Sequence, residues 1–202
     1  MSDILSELDA VHRQVGATGN DRTVLLRRGY DAEIEDVWDA VTDPDRIARW
    51  FLPVSGELRL GGRYQLEGNA GGEILRCEPP RLLAVTWVFG ESTSTVEVRL
   101  TADPARGTEL VLEHTLAADA HWAEYGPGAV GVGWDLTLLG LGMHLAGAEM
   151  SAEERAAWPR TEEAREFMTR SAQAWGAAHM ASGEPSDQAG TAAQKTAAAY
   201  GA

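Results

Sequence analysis

Apolar residues recur at helical spacing in three stretches of the chain, residues 2–15, 34–41 and 129–149. Within each stretch, apolar side chains stand three or four positions apart, which is the pattern of an amphipathic helix. Pro44 stops the second stretch and suits the first turn of a short helix over residues 45–50. The pattern therefore predicts helices at the N-terminus, in the first quarter of the chain and after its midpoint.

Between residues 56 and 117 the spacing changes to alternation, and glycine or proline turns separate short runs rich in valine, leucine and threonine. Such runs are typical of half-buried strands, and short turns between them join antiparallel neighbours. One earlier run has the same character. The pattern predicts seven strands in one antiparallel sheet, over residues 23–30, 57–60, 63–67, 73–77, 82–89, 94–100 and 109–115.

Two apolar stripes run along the predicted helix of residues 129–149. The first consists of Trp134, Leu138, Leu141 and Leu145, and the second of Val132, Leu136, Leu139 and Met143. A helix that is apolar on two sides has to be covered on both. The sheet can cover one stripe, and either the segment around Phe167 and Trp175 or a second copy of the chain can cover the other. The last alternative predicts a homodimer.

Changes in composition divide the chain into three predicted parts. We expect an N-terminal helical arm over residues 1–20, a central domain over residues 21–149 and a C-terminal helical extension over residues 150–202. Residues 117–128 form the predicted long loop before the long helix. The extension is rich in alanine, and we expect a weak last helix that ends at Tyr200.

Composition and charge exclude several classes of protein. The chain has 202 residues, of which 17 are basic and 31 acidic, so its net charge of −14 disfavours binding to the phosphates of nucleic acids. No run of about 18 apolar residues is present that could span a membrane. The N-terminus lacks the pattern of a signal peptide, and Cys77 is the single cysteine. We therefore expect a cytoplasmic protein without a disulfide.

A series of short motifs points to a family. In chain order they are residues 35–44 (EDVWDAVTDP), 48–51 (ARWF), 61–64 (GGRY), 72–74 (GEI), 78–82 (EPPRL), 85–87 (VTW), 107–110 (GTEL) with 113–114 (EH), and 133–134 (GW). Over residues 22–148 their order and spacing resemble the START-like, or SRPBCC, superfamily. Within it, the chain is similar to the homologues of the activator of heat-shock-protein-90 ATPase.

This resemblance implies an α+β helix-grip (START-like) fold, in which a curved seven-stranded antiparallel sheet wraps around a long C-terminal helix and leaves an apolar cavity. Extra helices are expected at both termini. Relatives with this fold include lipid carriers, hormone receptors, polyketide cyclases and co-chaperone domains, so the fold alone does not imply one activity. The resemblance favours a small-molecule-binding protein that holds an apolar or aromatic ligand between the sheet and the long helix.

Strand alternation predicts which side chains line this cavity, and the connection after the second helix closes one mouth. The alternative is that the same side chains fill a solid core. The predicted lining consists of Trp50, Phe51, Tyr64, Leu66, Val85, Trp87, Phe89, Val98, Leu112, His114, Trp134, Leu138 and Leu141. On the strands, Arg63, Arg76 and Arg99 have the opposite parity and are predicted to lie on the solvent face beside carboxylates.

His114 continues the parity of Leu110 and Leu112 and is predicted to point inward. It could orient a ligand or act as a general base, or it could be a core histidine with a hydrogen-bond partner. The remaining histidines and Cys77 lack the spacing of a metal site or an activated nucleophile. We expect no cofactor, no metal and no catalytic residue.

Two alternatives to the ligand-binding function stay open. One is a co-chaperone-like protein-interaction module with a chaperone or another protein as its partner. The other is a cyclase or hydrolase on the same scaffold, with His114 and Tyr64 as acid and base. We expect a binding protein rather than an enzyme, with a small hydrophobic molecule as its partner, no nucleic acid and no membrane span.

Overall fold

The computed structural model describes residues 4–148 and 150–201. A short 3-10 helix, Trp158–Arg160, lies between two of the α-helices. The other elements, in chain order, are α1 (Ile4–Asp9), β1 (His12–Thr18), β2 (Asp21–Tyr30), α2 (Ile34–Thr42), α3 (Pro44–Trp50), β3 (Val54–Gly56), β4 (Arg63–Leu66), β5 (Gly71–Glu78), β6 (Leu82–Phe89), β7 (Ser92–Asp103), β8 (Gly107–Ala117), α4 (Ala120–Tyr125), α5 (Gly128–Leu145), α6 (Ala152–Ala157), α7 (Glu162–Ala181) and α8 (Ser186–Tyr200).

In the described part of the chain, eight strands form one antiparallel sheet in the order β1-β2-β8-β7-β6-β5-β4-β3. The strands from β3 to β8 pair with their sequence neighbours, as a meander requires. The architecture confirms the predicted α+β class and the helix-grip fold. The predicted number of seven strands is wrong by one.

The additional strand is β1, which the sequence pattern assigns to a helix. The predicted helix over residues 2–15 is wrong beyond Asp9, because the backbone from His12 onward is extended and forms an edge strand. Val11 and Val15 are both buried and fit a helical spacing as well, which is why the pattern misleads. Gly19, with φ of +60°, forms the turn into β2, a conformation that favours glycine.

Three further boundaries differ from the prediction. The strand expected at residues 57–60 is absent from the described residues there, and β3 pairs with β4 instead. The loop expected at residues 117–128 contains α4, whose first turn is capped by Asp119 accepting a hydrogen bond of 2.9 Å from the Trp122 amide. The long helix α5 ends at Leu145 rather than at residue 149.

The described residues fall into two compact units. The sheet unit comprises Arg27–Leu116 and Gly140–Ala148, and the helical unit comprises the described residues of Met1–Leu26, Ala117–Leu139 and Glu149–Ala202. Both β2 and α5 contribute residues to each unit. The helical unit therefore draws on all three of the segments that composition predicts.

In the sheet unit, α2 and α3 precede the meander. Asp43 caps α3 by accepting a hydrogen bond of 2.9 Å from the Arg46 amide, and Pro44 occupies the first turn as predicted. The indole Nε1 of Trp50, at the end of α3, donates to the carbonyl of Ala40 in α2 at 3.0 Å. This hydrogen bond fixes the place of Trp50 on the connection that leads to β3.

In the helical unit, α7 packs against the first half of α5. A Cβ on Gly131 would lie 2.2 Å from Cε2 of Trp175, so glycine is needed for this close approach. Trp175 and Val132 are fully buried, and Leu139 is nearly so. These contacts support the alternative in which the segment around Trp175 covers α5 within one chain, and the homodimer stays a prediction.

Candidate functional site

One side of β4–β8 in the sheet unit carries mostly apolar side chains, and we call it the apolar face. The register aligns Val85 with Val96 and Val96 with His114, while Val98 lies opposite Leu112. Since side chains alternate along a strand, Trp87 and Phe89 lie on this face together with Val85. The residues on the other side include charged pairs, so the two sides of the sheet differ in chemistry.

The opposite side, the charged face, carries the arginines and carboxylates of β5, β7 and β8. Arg99 forms ion pairs with Glu97 and with Glu113, the second at 3.8 Å. Arg76 lies 3.8 Å from Glu97. Arg76 and Arg99 therefore lie beside carboxylates on the side that the sequence predicts.

The apolar face has a buried base and an accessible aromatic border. Leu66, Val85, Leu112 and Leu141 are buried, whereas Val98 is half-buried. The more accessible residues are aromatic: Trp50, Phe51, Tyr64 and Trp87 are half-buried, and Phe89 is 60% exposed. A ligand that approaches this face would therefore meet aromatic rings first. We call Trp50, Phe51, Tyr64, Trp87 and Phe89 the aromatic border.

Two of these rings are held together where α3 ends and the connection to β3 begins. Trp50 and Phe51 stack with ring centroids 5.6 Å apart and an interplanar angle of 24°. The carbonyl of Trp50 approaches α5 so closely that a Cβ on Gly140 would lie 3.0 Å from it. The sequence predicts both aromatic residues on this connection, and the structure adds the contact that fixes them.

Tyr64 spans three strands. It lies opposite Gly72 of β5, which has no side chain to block it, and its hydroxyl donates to the carbonyl of Thr86 in β6 at 2.8 Å. Burial raises the pKa of Tyr64 to about 12. The phenol is therefore protonated at neutral pH, and its proton points to the backbone.

His114 is buried, with 3% of its surface exposed, and its Nε2 lies 2.7 Å from Oγ of Ser94. The Ser94 hydroxyl donates to the carbonyl of Trp87 at 3.1 Å, and with that direction we assign the donor role in the contact with Ser94 to Nε2–H of His114. Burial lowers the pKa of His114 to about 4. At neutral pH the imidazole is therefore uncharged.

Two residues of the predicted lining, Trp134 and Leu138, belong to the part of α5 in the helical unit, and both are buried. The other eleven belong to the sheet unit. The assignment of all thirteen to a ligand site stays a prediction.

A polar cluster in the helical unit is not predicted from the sequence. Asp135 of α5 is 1% exposed and accepts hydrogen bonds from Nε and Nη2 of Arg13, at 3.0 and 2.9 Å. Ser171 and Trp175 of α7 donate to the same carboxylate, at 2.5 and 3.0 Å. A lone carboxylate in an otherwise apolar helix is the signal that could have revealed a buried ion pair.

The Arg13 guanidinium also donates to the carbonyls of Leu8 and Val11, at 3.1 and 3.0 Å. It therefore joins the end of α1 to β1 and to α5. Burial raises the pKa of Asp135, while the Arg13 charge and the hydrogen bonds from Arg13, Ser171 and Trp175 act in the opposite direction. Since four of the five N–H groups of Arg13 donate to groups inside the unit, this cluster has the character of a structural ion pair.

Within residues 4–148 and 150–201, no three histidine, cysteine, aspartate or glutamate side chains lie close enough to hold a metal ion. The helices of the same residues include none that is long and apolar enough to cross a membrane.

Comparison with solved structures reveals close relatives. Two are structures of CalU16 from Micromonospora echinospora. The crystal structure is 37% identical, with a TM-score of 0.67, and the match covers 84% of this chain and 98% of that one. The solution structure is 36% identical, with a TM-score of 0.72, and the match covers 86% and 97% of the two chains.

A more distant match is DynU16, a protein of the dynemicin biosynthetic locus. It is 25% identical with a TM-score of 0.55, and the match covers 63% of this chain and 48% of DynU16. A search of functionally curated proteins finds no match.

The profile of one protein family matches residues 31–146, which is more than half of the chain. The matched part contains α2, α3 and the strands that carry the apolar face. The chain therefore belongs to the family of Activator of Hsp90 ATPase homolog 1-like proteins.

Proposed function

We propose that this protein binds a small aromatic ligand against the aromatic border of its sheet unit. The observation that supports the proposal best is the exposure of apolar rings on that side of the sheet. Phe89 is 60% exposed, and Trp87, two residues before it on the same face, is half-buried. Exposed aromatic groups that flank an apolar surface are typical of ligand sites.

The chemistry of the face favours an uncharged ligand. The positions of β4–β8 that share this face carry aliphatic, aromatic and hydroxyl side chains, the thiol of Cys77 and His114, which is neutral at neutral pH. A charged group on the ligand would lose its hydration without gaining an ion pair from these strands, and such a loss is costly. The ligand of this proposal is therefore an uncharged aromatic molecule.

The comparisons add support for a ligand-binding scaffold. DynU16 comes from a biosynthetic locus, and CalU16 matches this chain over most of both lengths. By analogy with the location of DynU16 in a biosynthetic locus, a role of this chain in small-molecule biosynthesis is part of the proposal. An enzymatic role for His114 lacks comparable support, because an imidazole with a pKa of about 4 is a poor general base at neutral pH.

The test uses Nile red, an uncharged aromatic dye, and two matched variants. Phe89 and Leu60 are exposed to nearly the same extent, 60% and 62%, but Leu60 lies in the loop between β3 and β4. We expect the wild-type protein to bind the dye and Phe89→Ser to weaken binding about tenfold, because a buried aromatic side chain contributes about 1.5 to 3 kcal/mol. Leu60→Ser should leave the dissociation constant unchanged.

Fluorescence titration of the three proteins measures these constants. The proposal is overturned if the wild-type protein does not bind the dye at all. It is overturned equally if both serine variants weaken binding to the same degree, since the dye would then report general apolar surface rather than the aromatic border.

A further inference from the structure

Two hydroxyl groups of the apolar face send their protons to neighbouring backbone carbonyls of β6. Tyr64 donates to Thr86 O at 2.8 Å, and Ser94 donates to Trp87 O at 3.1 Å. The carbonyl oxygens can only accept, so the direction of both bonds is fixed. Each hydroxyl can therefore act only as a hydrogen-bond acceptor toward a further partner, because its single proton is already engaged.

Ser94 has one lone pair left after its contacts within the protein are counted. A hydroxyl oxygen accepts two hydrogen bonds, and Nε2–H of His114 occupies one of these positions at 2.7 Å. His114 is buried whereas Ser94 is half-buried, so the imidazole contacts the serine oxygen from the interior side. Because Ser94 is half-buried, part of this residue is accessible from outside, and the remaining lone pair is a candidate acceptor for an incoming molecule.

The position of Ser94 relates this acceptor to the aromatic border. Ser94 lies directly opposite Trp87 in the register, and Ser92, two residues before it, lies opposite Phe89. A molecule that packs against Trp87 and Phe89 therefore lies beside their cross-strand neighbours, Ser94 and Ser92. The hydroxyl of Tyr64 donates to the carbonyl of Thr86, the residue before Trp87, so its oxygen is a second acceptor whose proton is already engaged.

We infer that Ser94 is the polar anchor of the site and that the ligand is an aromatic compound with a hydroxyl or N–H donor, such as a phenol. This inference deepens the ligand-binding role proposed above and rests on it. A phenolic hydroxyl donates to the lone pair of Ser94 and leaves the bond from Ser94 to Trp87 O intact. An aryl ether or ketone at the same place finds no donor, because the serine proton is already engaged.

The experiment compares 2-naphthol with 2-methoxynaphthalene, which has the same ring system and oxygen but no donor. We expect the wild-type protein to bind 2-naphthol about tenfold more tightly, which corresponds to about 1.4 kcal/mol. Quenching of tryptophan fluorescence and isothermal titration calorimetry measure both dissociation constants. Ser94→Ala should reduce the preference to about twofold, mainly by weakening the binding of 2-naphthol.

Two control variants separate the anchor from a structural effect. Ser94→Thr keeps a hydroxyl at the same position and should keep the tenfold preference. Thr95→Val removes a hydroxyl from the next residue, which is exposed and points to the charged face, and should leave both affinities unchanged. If Ser94→Ala fails to fold, Ser94→Cys takes its place, because its sulfur is only a weak acceptor and should likewise reduce the preference.

The outcomes distinguish this inference from the proposed function. If the wild-type protein binds both compounds with equal affinity, the aromatic border binds ligands but the donor requirement is wrong. If Ser94→Ala keeps the full preference, the acceptor is another group and Ser94 is not the anchor. If neither compound nor Nile red binds, the proposed function itself fails.

Discussion

Asp135 in the helical unit and His114 in the sheet unit are buried to almost the same degree, 1% and 3% exposed, yet their surroundings differ. The carboxylate of Asp135 accepts hydrogen bonds from an arginine, a serine and an indole, all of which belong to its own unit. His114 is uncharged and contacts Ser94, whose own proton goes to a backbone carbonyl. The first arrangement uses charge to hold elements together, and the second leaves an oxygen acceptor near the surface.

This contrast distinguishes buried polar groups that stabilise the fold from buried polar groups that can serve a ligand. A buried ion pair whose carboxylate is surrounded by donors from the protein offers little to a ligand, and the loss of hydration largely offsets the attraction between its charges. A short series of neutral hydrogen bonds costs less to bury and can end at a group that a ligand reaches. A buried polar residue therefore indicates a ligand site only if its chain of hydrogen bonds ends at a group that is accessible to a ligand.

The largest expected effect concerns the ion pair of the helical unit. Asp135→Ala leaves the guanidinium of Arg13 buried without its carboxylate, which typically costs about 3 to 5 kcal/mol. Urea-induced unfolding, followed by circular dichroism, measures the loss. Asp36→Ala is the matched control, because Asp36 pairs with Arg46 at 2.7 Å but is about half exposed, and it should cost less than about 1 kcal/mol. Equal losses in the two variants would contradict the structural role of the buried pair.

The next effect concerns pH and the sheet unit. The pKa of His114 is about 4 in the folded protein and near its ordinary value of 6.5 when unfolded. Because the unfolded chain binds the proton first, this histidine reduces the free energy of unfolding as pH falls from 6.5 to 4. The difference corresponds to about 3 kcal/mol, and no further loss from His114 is expected below pH 4.

Unfolding curves of the wild type and of His114→Asn, recorded at several pH values, isolate this contribution. The difference between the two proteins should change over this pH interval and be constant above it. His121→Asn is the control, since His121 is exposed and its replacement should leave the pH dependence of the wild type in place. A His114→Asn variant with an unchanged pH dependence would show that the imidazole is not protected from protonation.

A smaller effect is expected where α7 meets α5. Gly131→Ala places a methyl group 2.2 Å from the Trp175 ring, and overpacking of this kind costs about 1 to 3 kcal/mol. Gly133→Ala in the same helix has its nearest neighbour, the Tyr200 hydroxyl, at 3.5 Å and should be neutral or stabilising by up to about 1 kcal/mol. Thermal unfolding of both variants tests the contact, and a stable Gly131→Ala protein would argue against it.

The sheet unit is the part that the sequence predicts best. Alternation along β7 and β8 correctly places Val96, Leu110 and His114 on one face, because the period of two fixes the side of a strand without knowledge of its partner. Alternation does not single out Ser94, since a serine in a strand has no pattern that distinguishes an anchor from a solvent-exposed hydroxyl.

The helical unit is less predictable, for a physical reason. Val11 and Val15 satisfy the periods of both a helix and a strand, and the choice of strand β1 depends on pairing with β2 rather than on local preference. Asp135 is recognisable as unusual within an apolar helix, but its partner Arg13 lies 122 residues away in the sequence. Periodicity gives the face of an element and contains no information about such distant partners.

The carboxylate of Asp135 has a consequence for the order in which the chain folds. Its partners lie 122 residues before it and 36 and 40 residues after it, so Arg13 leaves the ribosome long before either Asp135 or α7. Strands β3 to β8, by contrast, pair with their immediate neighbours and can assemble while synthesis continues. The first strand of this protein thus acquires its charged partner only after 122 further residues have been added to the chain.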